Sequence, residues 1–210
     1  EAAQEGRLPV LIDLNDIRGD LHAHTNWSDG MFSLEEMAQA AMDRGYEYLA
    51  VTDHSKGLTV ANGLDEDRLA EQVDEIARLN ESFDGFRLLA SMEVNINQDG
   101  SLDLSEELLG RLDLVVCSIH SGMDLGRDKQ TERMLRAMDN PHCSIIGHPT
   151  GRQLGKRQGY DDRISGFDAS LRASFPLELK PGESLVSTHS LNEVGDRTPD
   201  TVPGQYARGP

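Results

Sequence analysis

Five histidines and one glutamate stand at or just past the ends of short apolar runs. They are His22 and His24 in Gly19-Asp-Leu-His-Ala-His-Thr25, His54 in Val51-Thr-Asp-His-Ser55, and Glu93 in Met92-Glu-Val94. His120 in Cys117-Ser-Ile-His-Ser121 and His148 in Ile145-Ile-Gly-His-Pro149 complete the set. Helix-like segments separate most of these runs. That alternation predicts an α/β protein with a parallel sheet, whose strand C-termini converge on one rim where ligands bind. Imidazoles and carboxylates gathered on that rim are what a multinuclear metal site requires. One histidine so placed would mean little; five at equivalent positions select this reading.

At 210 residues, 37% of them hydrophobic, the chain is long enough for one domain with a real core. No apolar run approaches the roughly 20 residues of a membrane span, which argues against a membrane partner. The opening Glu1-Ala-Ala-Gln-Glu-Gly-Arg7 is polar, unlike a signal peptide, and lacks an initiator Met, as expected of a piece of a longer protein. Cys117 and Cys143 read as small buried hydrophobes rather than ligands or a disulfide framework, which points to reducing cytoplasm. The formal net charge of −17 repels nucleic-acid phosphates. A nucleic-acid substrate would need metal ions or another domain to supply the attraction.

Residues 1–16 read as a linker segment, 17–160 as the metal-binding domain, and 161–210 as an atypical tail, disordered or frame-shifted. Strands are expected at Ile17 to His24, Tyr48 to Thr52, Phe86 to Val94, Leu114 to Ile119 and Ile145 to Ile146. Ser33 opens a helix with a Ser-x-x-Glu capping box through Glu36; Leu34, Met37, Ala38, Ala41 and Met42 fall on one face, and Gly45 stops it. A second amphipathic helix runs from about Asp65 to Ser82 with Leu69, Val73, Ile76 and Leu79 inward. Ser105 caps a short helix, and Met134, Leu135 and Met138 mark another. Beyond Asp161 the pattern fails. Leu177 to Leu179 and Leu185 to Ser187 could be short strands, and Phe167 to Ser174 a helix.

His22 and His24 are two apart on a strand, so they project the same way and one metal can use both. Glu93 interrupts an apolar strand; an unpaired carboxylate there would be costly, so a metal or cation partner is expected. Asp29, in Trp27-Ser-Asp-Gly30, is by default a turn aspartate. Asp53 could ligate beside His54 or orient a ligating imidazole. His120 and His148 end apolar runs; His142, beside Pro141, reads as solvent-exposed. Arg152 could neutralise a phosphate bidentately, and Lys56 more loosely. Histidine and carboxylate ligands suit Zn²⁺, Mn²⁺ or Fe²⁺ better than Ca²⁺ or Mg²⁺, and several such ions suit phosphoester hydrolysis.

The stretches Asp20-Leu-His-Ala-His-Thr25, Ser28-Asp-Gly30, Val51-Thr-Asp-His-Ser55, Val60-Ala-Asn-Gly-Leu64, Asp99-Gly-Ser-Leu-Asp103 and Gly147-His-Pro-Thr-Gly-Arg152 resemble the PHP (polymerase and histidinol phosphatase) family of metal-dependent phosphoesterases. The match runs from about Asp20 to Arg152. More narrowly, the chain is similar to the C-terminal PHP domain of bacterial family X DNA polymerases, and Gly6-Arg-Leu-Pro9 is similar to the linker that precedes that domain. The resemblance implies a distorted (βα)7 TIM-like barrel, here incomplete at its C-terminus, with up to three metals, Mn²⁺ or Zn²⁺. It places one metal at His22, His24 and Glu93, a second at Glu93, His120 and His148, and a third at Asp29 and His54. Glu93, His120 and Arg152 are then the residues expected to carry catalysis. The implied activity is a 3′–5′ exonuclease and 3′-end phosphoesterase in DNA repair, acting beside a polymerase domain. The family's late Asp-x-His ligand pair is replaced by Ser187-Thr-His-Ser190, which leaves His189 as a candidate ligand and at least one strand–helix unit missing.

Two alternatives stand beside the exonuclease. One is a small-molecule phosphatase of the histidinol-phosphate type; the other is a degenerate, non-catalytic metal-binding module, favoured by the broken tail. Amidohydrolase barrels also begin with His-x-His, but often use a bridging lysine at a strand end, and no lysine is so placed here.

Overall fold

The computed structural model describes Gly6, residues 12–153 and residues 155–159. Among these residues, five strands form one parallel sheet: β1 (Gly19–Ala23), β2 (Tyr48–Val51), β3 (Arg87–Asn95), β4 (Leu114–Ser118) and β5 (Ile145–Ile146). Their spatial order equals their chain order, β1-β2-β3-β4-β5. The helices α1 (Leu34–Asp43), α2 (Glu66–Asn80), α3 (Glu106–Leu109) and α4 (Arg127–Met138) supply the crossovers. The sheet curls into a half-barrel, the α/β architecture of an incomplete TIM-like barrel. Among the described residues no helix is long and apolar enough to cross a membrane. The predicted tail elements and His189 lie outside the described residues.

Local chemistry explains the helix positions. Ser33 and Glu36 form the reciprocal capping box, and Gly45 takes a φ of 76° just past the end of α1. Asp65 caps α2 by accepting from the Arg68 N–H, and Ser105 caps α3 by accepting from the Leu108 N–H. Strand residues alternate between two faces. One set packs outward against helices in two clusters. Ala23, Leu49, Val51 and Leu88 meet α1 and α2, including Leu34, Met37 and Ile76. Met92, Val94, Val115 and Cys117 meet Leu69, Leu109, Met134 and Ala137 of α2, α3 and α4. The other face, with His22, Glu93 and Ser118, looks into the half-barrel.

Three expectations need correction. β1 starts at Gly19 rather than Ile17, because a 3-10 turn over Leu14–Asp16, capped by Asp13, occupies the chain just before it. Cys143 is only half-buried, although it packs against the cluster that holds Cys117, and both thiols are free. The inward face of α4 is Gln130, Arg133, Met134 and Ala137, while Leu135 is exposed. Of the expected stripe Met134 is in the core and Met138 is half-buried; the rest of the inward face departs from an apolar pattern because the largest side chain α4 buries is charged. Arg133 is 1% exposed and donates to the carbonyls of Ile96, Asn97 (2.9 Å), Ser121 (2.8 Å) and Gly122 (3.3 Å). These carbonyls belong to the loops leaving β3 and β4, so one guanidinium fork ties together the exits of two neighbouring strands.

Buried acceptors without donors cost about 1–3 kcal/mol each. Arg133→Met, which keeps the length but removes the donors, is therefore expected to lower the unfolding free energy by roughly 2–4 kcal/mol in urea titrations. Arg133→Met matching the parent protein in midpoint and slope would show that the fork contributes nothing.

Candidate metal centre

The cluster is centred on Glu93, near the end of β3, the middle strand of the sheet. Its carboxylate is 2% exposed, and its two oxygens face different groups of imidazoles. Oε2 lies 3.3 Å from His22 Nε2, 3.3 Å from His24 Nε2 and 3.1 Å from His54 Nδ1. Oε1 lies 3.3 Å from His120 Nε2 and 2.9 Å from His148 Nε2. The arrangement follows from the strands. His22 lies on β1 and His24 just past it; His54 lies beyond β2 and forms a β-bridge with Glu93 itself. His120 follows β4 and His148 follows β5.

Asp29 comes from the loop after β1. Its Oδ1 is 3.4 Å from His24 Nδ1 and its Oδ2 is 3.6 Å from His54 Nε2. Both ring nitrogens of His24 therefore face carboxylates. The His22 and His24 Nε2 atoms are 3.1 Å apart, each with Glu93 close by. Rings crowd together through the site without stacking: the His24 and His54 centroids are 4.4 Å apart with planes tilted by 45°, and those of His54 and His120 are 5.0 Å apart and edge-to-face at 86°.

At β5 the backbone makes room for this crowding. Gly147 has no side chain; a Cβ there would lie 2.3 Å from Ser118 Oγ and 2.9 Å from Val116 Cγ1. His148 itself has a φ of 28°, a conformation a residue with a Cβ takes only at a cost of about 1–3 kcal/mol. The turn that imposes it is closed by the Gly151 N–H donating to the His148 carbonyl at 2.8 Å. The strained backbone swings the imidazole back toward Glu93.

Ionisation follows the same geometry. Burial raises the Glu93 carboxyl, but hydrogen bonds from His120, His148, His22 and His24 outweigh it and hold the group well below the usual carboxylate range. Burial likewise disfavours the charged form of His24, yet Asp29 and Glu93 overcome it and push its pKa up to about 9. Asp29 is held far down by His24 and His54. His120 moves the other way, lowered chiefly by burial, and is neutral near pH 7. In the ion-free protein, then, anionic carboxylates and a protonated His24 offset one another.

A divalent metal fits this donor set. Among the described residues, the Nδ1 atoms of His22, His24, His54 and His120 are buried without a hydrogen-bond partner, an arrangement that costs free energy unless another group satisfies the ring. Among the described residues, three groups of donor atoms lie within 4.8 Å of one another: His22, His24 and Glu93; His24, Asp29 and His54; and His54, Glu93 and His120. The first is the set expected from the sequence. The second adds His24 to the expected Asp29 and His54. The third brings His54, which faces Oε2, together with Glu93 and His120, while His148 shares Oε1 with His120.

Other candidates stand elsewhere. Asp53 is fully buried and, among the described residues, belongs to none of the three donor groups and hydrogen-bonds no imidazole. It accepts from Thr25 N (2.8 Å), Thr25 Oγ1 (2.6 Å), Ser28 Oγ and Gln72 Nε2 (2.7 Å), and so fixes the loop that carries Asp29. Lys56 pairs with Glu66 at 3.2 Å instead of turning to the cluster. His142 is half-buried rather than exposed and pairs with Glu106 at 3.2 Å. Arg152 lies in the exposed loop after β5, its backbone N–H on Thr150 Oγ1; among the described residues no ion pair joins its guanidinium to the cluster.

Sequence reasoning missed Asp103. Its carboxylate accepts from Ser55 Oγ (2.8 and 2.9 Å), Gly57 N (2.8 Å) and Asn95 N (3.1 Å). It thereby holds the segments just after His54 and Glu93 in register. The available signal was an aspartate two residues past a Gly-Ser turn, which reads as solvent-facing until the fold brings Ser55 to it.

The chain matches the family model described as "PHP domain" over residues 20–152. It is 40% identical over 190 residues to the DNA polymerase/3′-5′ exonuclease PolX of Bacillus subtilis, covering 89% of this chain and 33% of that protein. It is 33% identical over 135 residues to a probable phosphatase of Thermoanaerobacter sp. (strain X514), covering 62% of this chain and 53% of the relative. A probable phosphatase of Caldanaerobacter subterraneus subsp. tengcongensis is 30% identical over 152 residues, covering 69% and 55%. The chain thus spans about a third of the polymerase relative and about half of the phosphatases. Its strand-end histidines, the half-barrel that gathers them around one glutamate and the family match over residues 20–152 agree, and the chain belongs to the PHP domain family.

Proposed function

We propose that the chain is the metal-dependent phosphoesterase part of a larger protein and hydrolyses DNA 3′ ends, as a 3′–5′ exonuclease working in repair beside a polymerase domain. The domain proper is 17–160, after a linker over 1–16. The observation that carries the reading is the division of labour at Glu93, whose two oxygens each serve a separate group of imidazoles. The proposed ligands are His22, His24, Asp29, His54, Glu93, His120 and His148, and the proposed ions are Mn²⁺ or Zn²⁺. The name of the Bacillus subtilis relative, polymerase and exonuclease in one, supports the DNA substrate. Free thiols at Cys117 and Cys143 suit a cytoplasmic setting.

Bound divalent ions supply Lewis-acid polarisation of the phosphoryl oxygens and acidify a water molecule. This chain's residues do the rest. Glu93 fixes the separation between the two histidine groups. His120, neutral because it is buried, offers a free nitrogen pair at neutral pH. Arg152, on the loop after His148, is the proposed phosphate clamp. No serine, cysteine or lysine is needed as a covalent nucleophile.

A small-molecule phosphatase is the second reading. The net charge of −17 and the relatives named as probable phosphatases favour it. The two separate on substrate profile: a 3′-labelled oligonucleotide shortened from its 3′ end supports the first, and turnover confined to phosphate monoesters such as histidinol phosphate overturns it.

Chelation is expected to abolish hydrolysis and Mn²⁺ to restore it. Glu93→Ala should lose the equivalent of two bound ions by elemental analysis and more than about a hundredfold in rate. Full activity in chelator would sink the metal-dependent reading.

Protons and metal compete for His24. Its folded pKa of about 9 lies above the 6.5 of an ordinary, solvated imidazole. A group raised on folding adds stability that is fully present below its unfolded pKa and lost as pH rises through its folded pKa. The metal-free protein should therefore lose unfolding free energy between about pH 6.5 and 9 in urea titrations with chelator. Metal affinity should rise over the same window as the proton is displaced more easily. A flat apo stability across that range would show that Asp29 and Glu93 do not hold His24 charged.

A further inference from the structure

Seven large hydrophobic side chains are exposed among the described residues, and three of them, Met31 (67%), Phe32 (43%) and Val60 (92%), lie on the two loops that adjoin the histidine cluster. The loop after β1 carries Asp29 and folds back on the strand end. The Gly30 N–H donates to the Thr25 carbonyl at 2.8 Å and the Asn26 N–H to the Phe32 carbonyl at 2.8 Å; a Cβ at Gly30 would lie 2.6 Å from the His24 carbonyl. The backbone at Met31 and Phe32 is thus held against the segment bearing His24. The loop after β2 does the same at His54. Leu58 N–H donates to the Ser55 carbonyl at 3.1 Å, Leu64 N–H to the His54 carbonyl at 2.7 Å, and a Cβ at Gly63 would sit 2.0 Å from the Ser55 carbonyl. Val60 stands on the 3-10 turn at the crest of this loop.

The two loops are stitched together. The Trp27 carbonyl accepts from Asn62 Nδ2 at 3.1 Å and from the Arg68 guanidinium, which lies 6.0 Å from the Trp27 ring centroid. Asn62 adopts a left-handed φ of 55° to make this contact. So three apolar side chains are kept in water on a well-anchored rim beside a polar site, where folding gains nothing from them.

The charge of the chain says what they serve. At −17 the protein offers a polyanion no general attraction. A ligand that presents a phosphodiester to the cluster must draw affinity from an uncharged surface as well. A nucleobase has such a face: bases stack on aromatic side chains with little regard to sequence, and apolar side chains can pack beside them on the same base. We propose that Met31, Phe32 and Val60 form an apolar platform that stacks the base of the 3′-terminal nucleotide while its phosphodiester faces Glu93 and the histidines. This rests on the DNA 3′-end reading and adds to it the source of substrate selectivity: base-bearing ends are held, and phosphate esters without a base are not.

The test uses the full chain with Mn²⁺ and two single-stranded oligonucleotides, identical except that one ends in a 3′-terminal abasic nucleotide. A third strand, with 2-aminopurine at its 3′ end and a phosphorothioate at the scissile linkage, reports stacking by fluorescence without requiring turnover. The parent protein is expected to quench the 2-aminopurine and to prefer the base-bearing end by about tenfold in kcat/KM. Phe32→Ala should lose most of the quenching and bring the preference to within about twofold, Phe32→Trp should restore both, and Leu135→Ala, at an exposed leucine on α4, should change neither. Val60→Ala, at a position too exposed to affect folding, should weaken the preference in the same direction. If the parent cleaves both ends equally, or if Phe32→Ala and Val60→Ala leave quenching and preference intact, the platform is overturned while the phosphoesterase reading stands. If the parent cleaves neither strand with Mn²⁺ or Zn²⁺ yet hydrolyses histidinol phosphate, the DNA reading falls and the platform with it.

Discussion

Burying one carboxylate, Glu93, under five imidazoles is the interaction on which the rest of this structure depends. An ionised carboxylate taken out of water costs several kcal/mol unless it is paired on every side. Glu93 is paired because it stands on β3, with two strands on each flank. From one flank come His22, His24 and His54, and from the other His120 and His148. The same residue on an edge strand could be reached from one side only. The chain order of the strands, which coincides with their spatial order, is therefore also what gives the carboxylate its two-sided character.

Around this centre, polar groups that touch no imidazole hold the loops. Asp53 gathers Thr25, Ser28 and Gln72 and so joins the loop after β1 to α2. Asp103 gathers Ser55, Gly57 and Asn95 and joins the exits of β2 and β3. Arg133 takes the carbonyls leaving β3 and β4. Each strand exit that bears a candidate ligand, from β1 to β4, is thus braced to its neighbour by a charged side chain with its hydrogen bonds made. Rigid loops at a site are what a multinuclear centre needs, since ligand positions must hold to a fraction of an ångström.

The parts of this design that were legible in the sequence are those written in local patterns. Ser33 with Glu36, Asp65 and Gly45 announce helix ends through chemistry confined to a few residues. The apolar runs before His22, His54, Glu93, His120 and His148 announce strands, and their ends place the cluster on one rim. Asp53, Asp103 and Arg133 were illegible in their roles because their partners are distant in the chain: Asp53 bonds Thr25, 28 residues away, and Asp103 bonds Ser55, 48 residues away. Arg133 shows the point most directly. An arginine in an amphipathic helix reads as its wet face, and only the convergence of four carbonyls makes it the inward one. The regrouping of His54 with Glu93 and His120 has the same origin, since it depends on a bridge between β2 and β3 rather than on spacing.

The donors of the cluster are not equally wet. His22, His24 and Glu93 are almost wholly enclosed, whereas the Asp29 side chain is 47% exposed and that of His148 is 40% exposed. A hydrated ion sheds its water stepwise, and it can do so only where a ligand and solvent are reached together. Asp29 and His148 are those places, on opposite sides of the buried carboxylate. An ion held here would therefore meet solvent at two mouths around a dry middle, and the innermost position, between His22, His24 and Glu93, would be the last to fill and the slowest to empty.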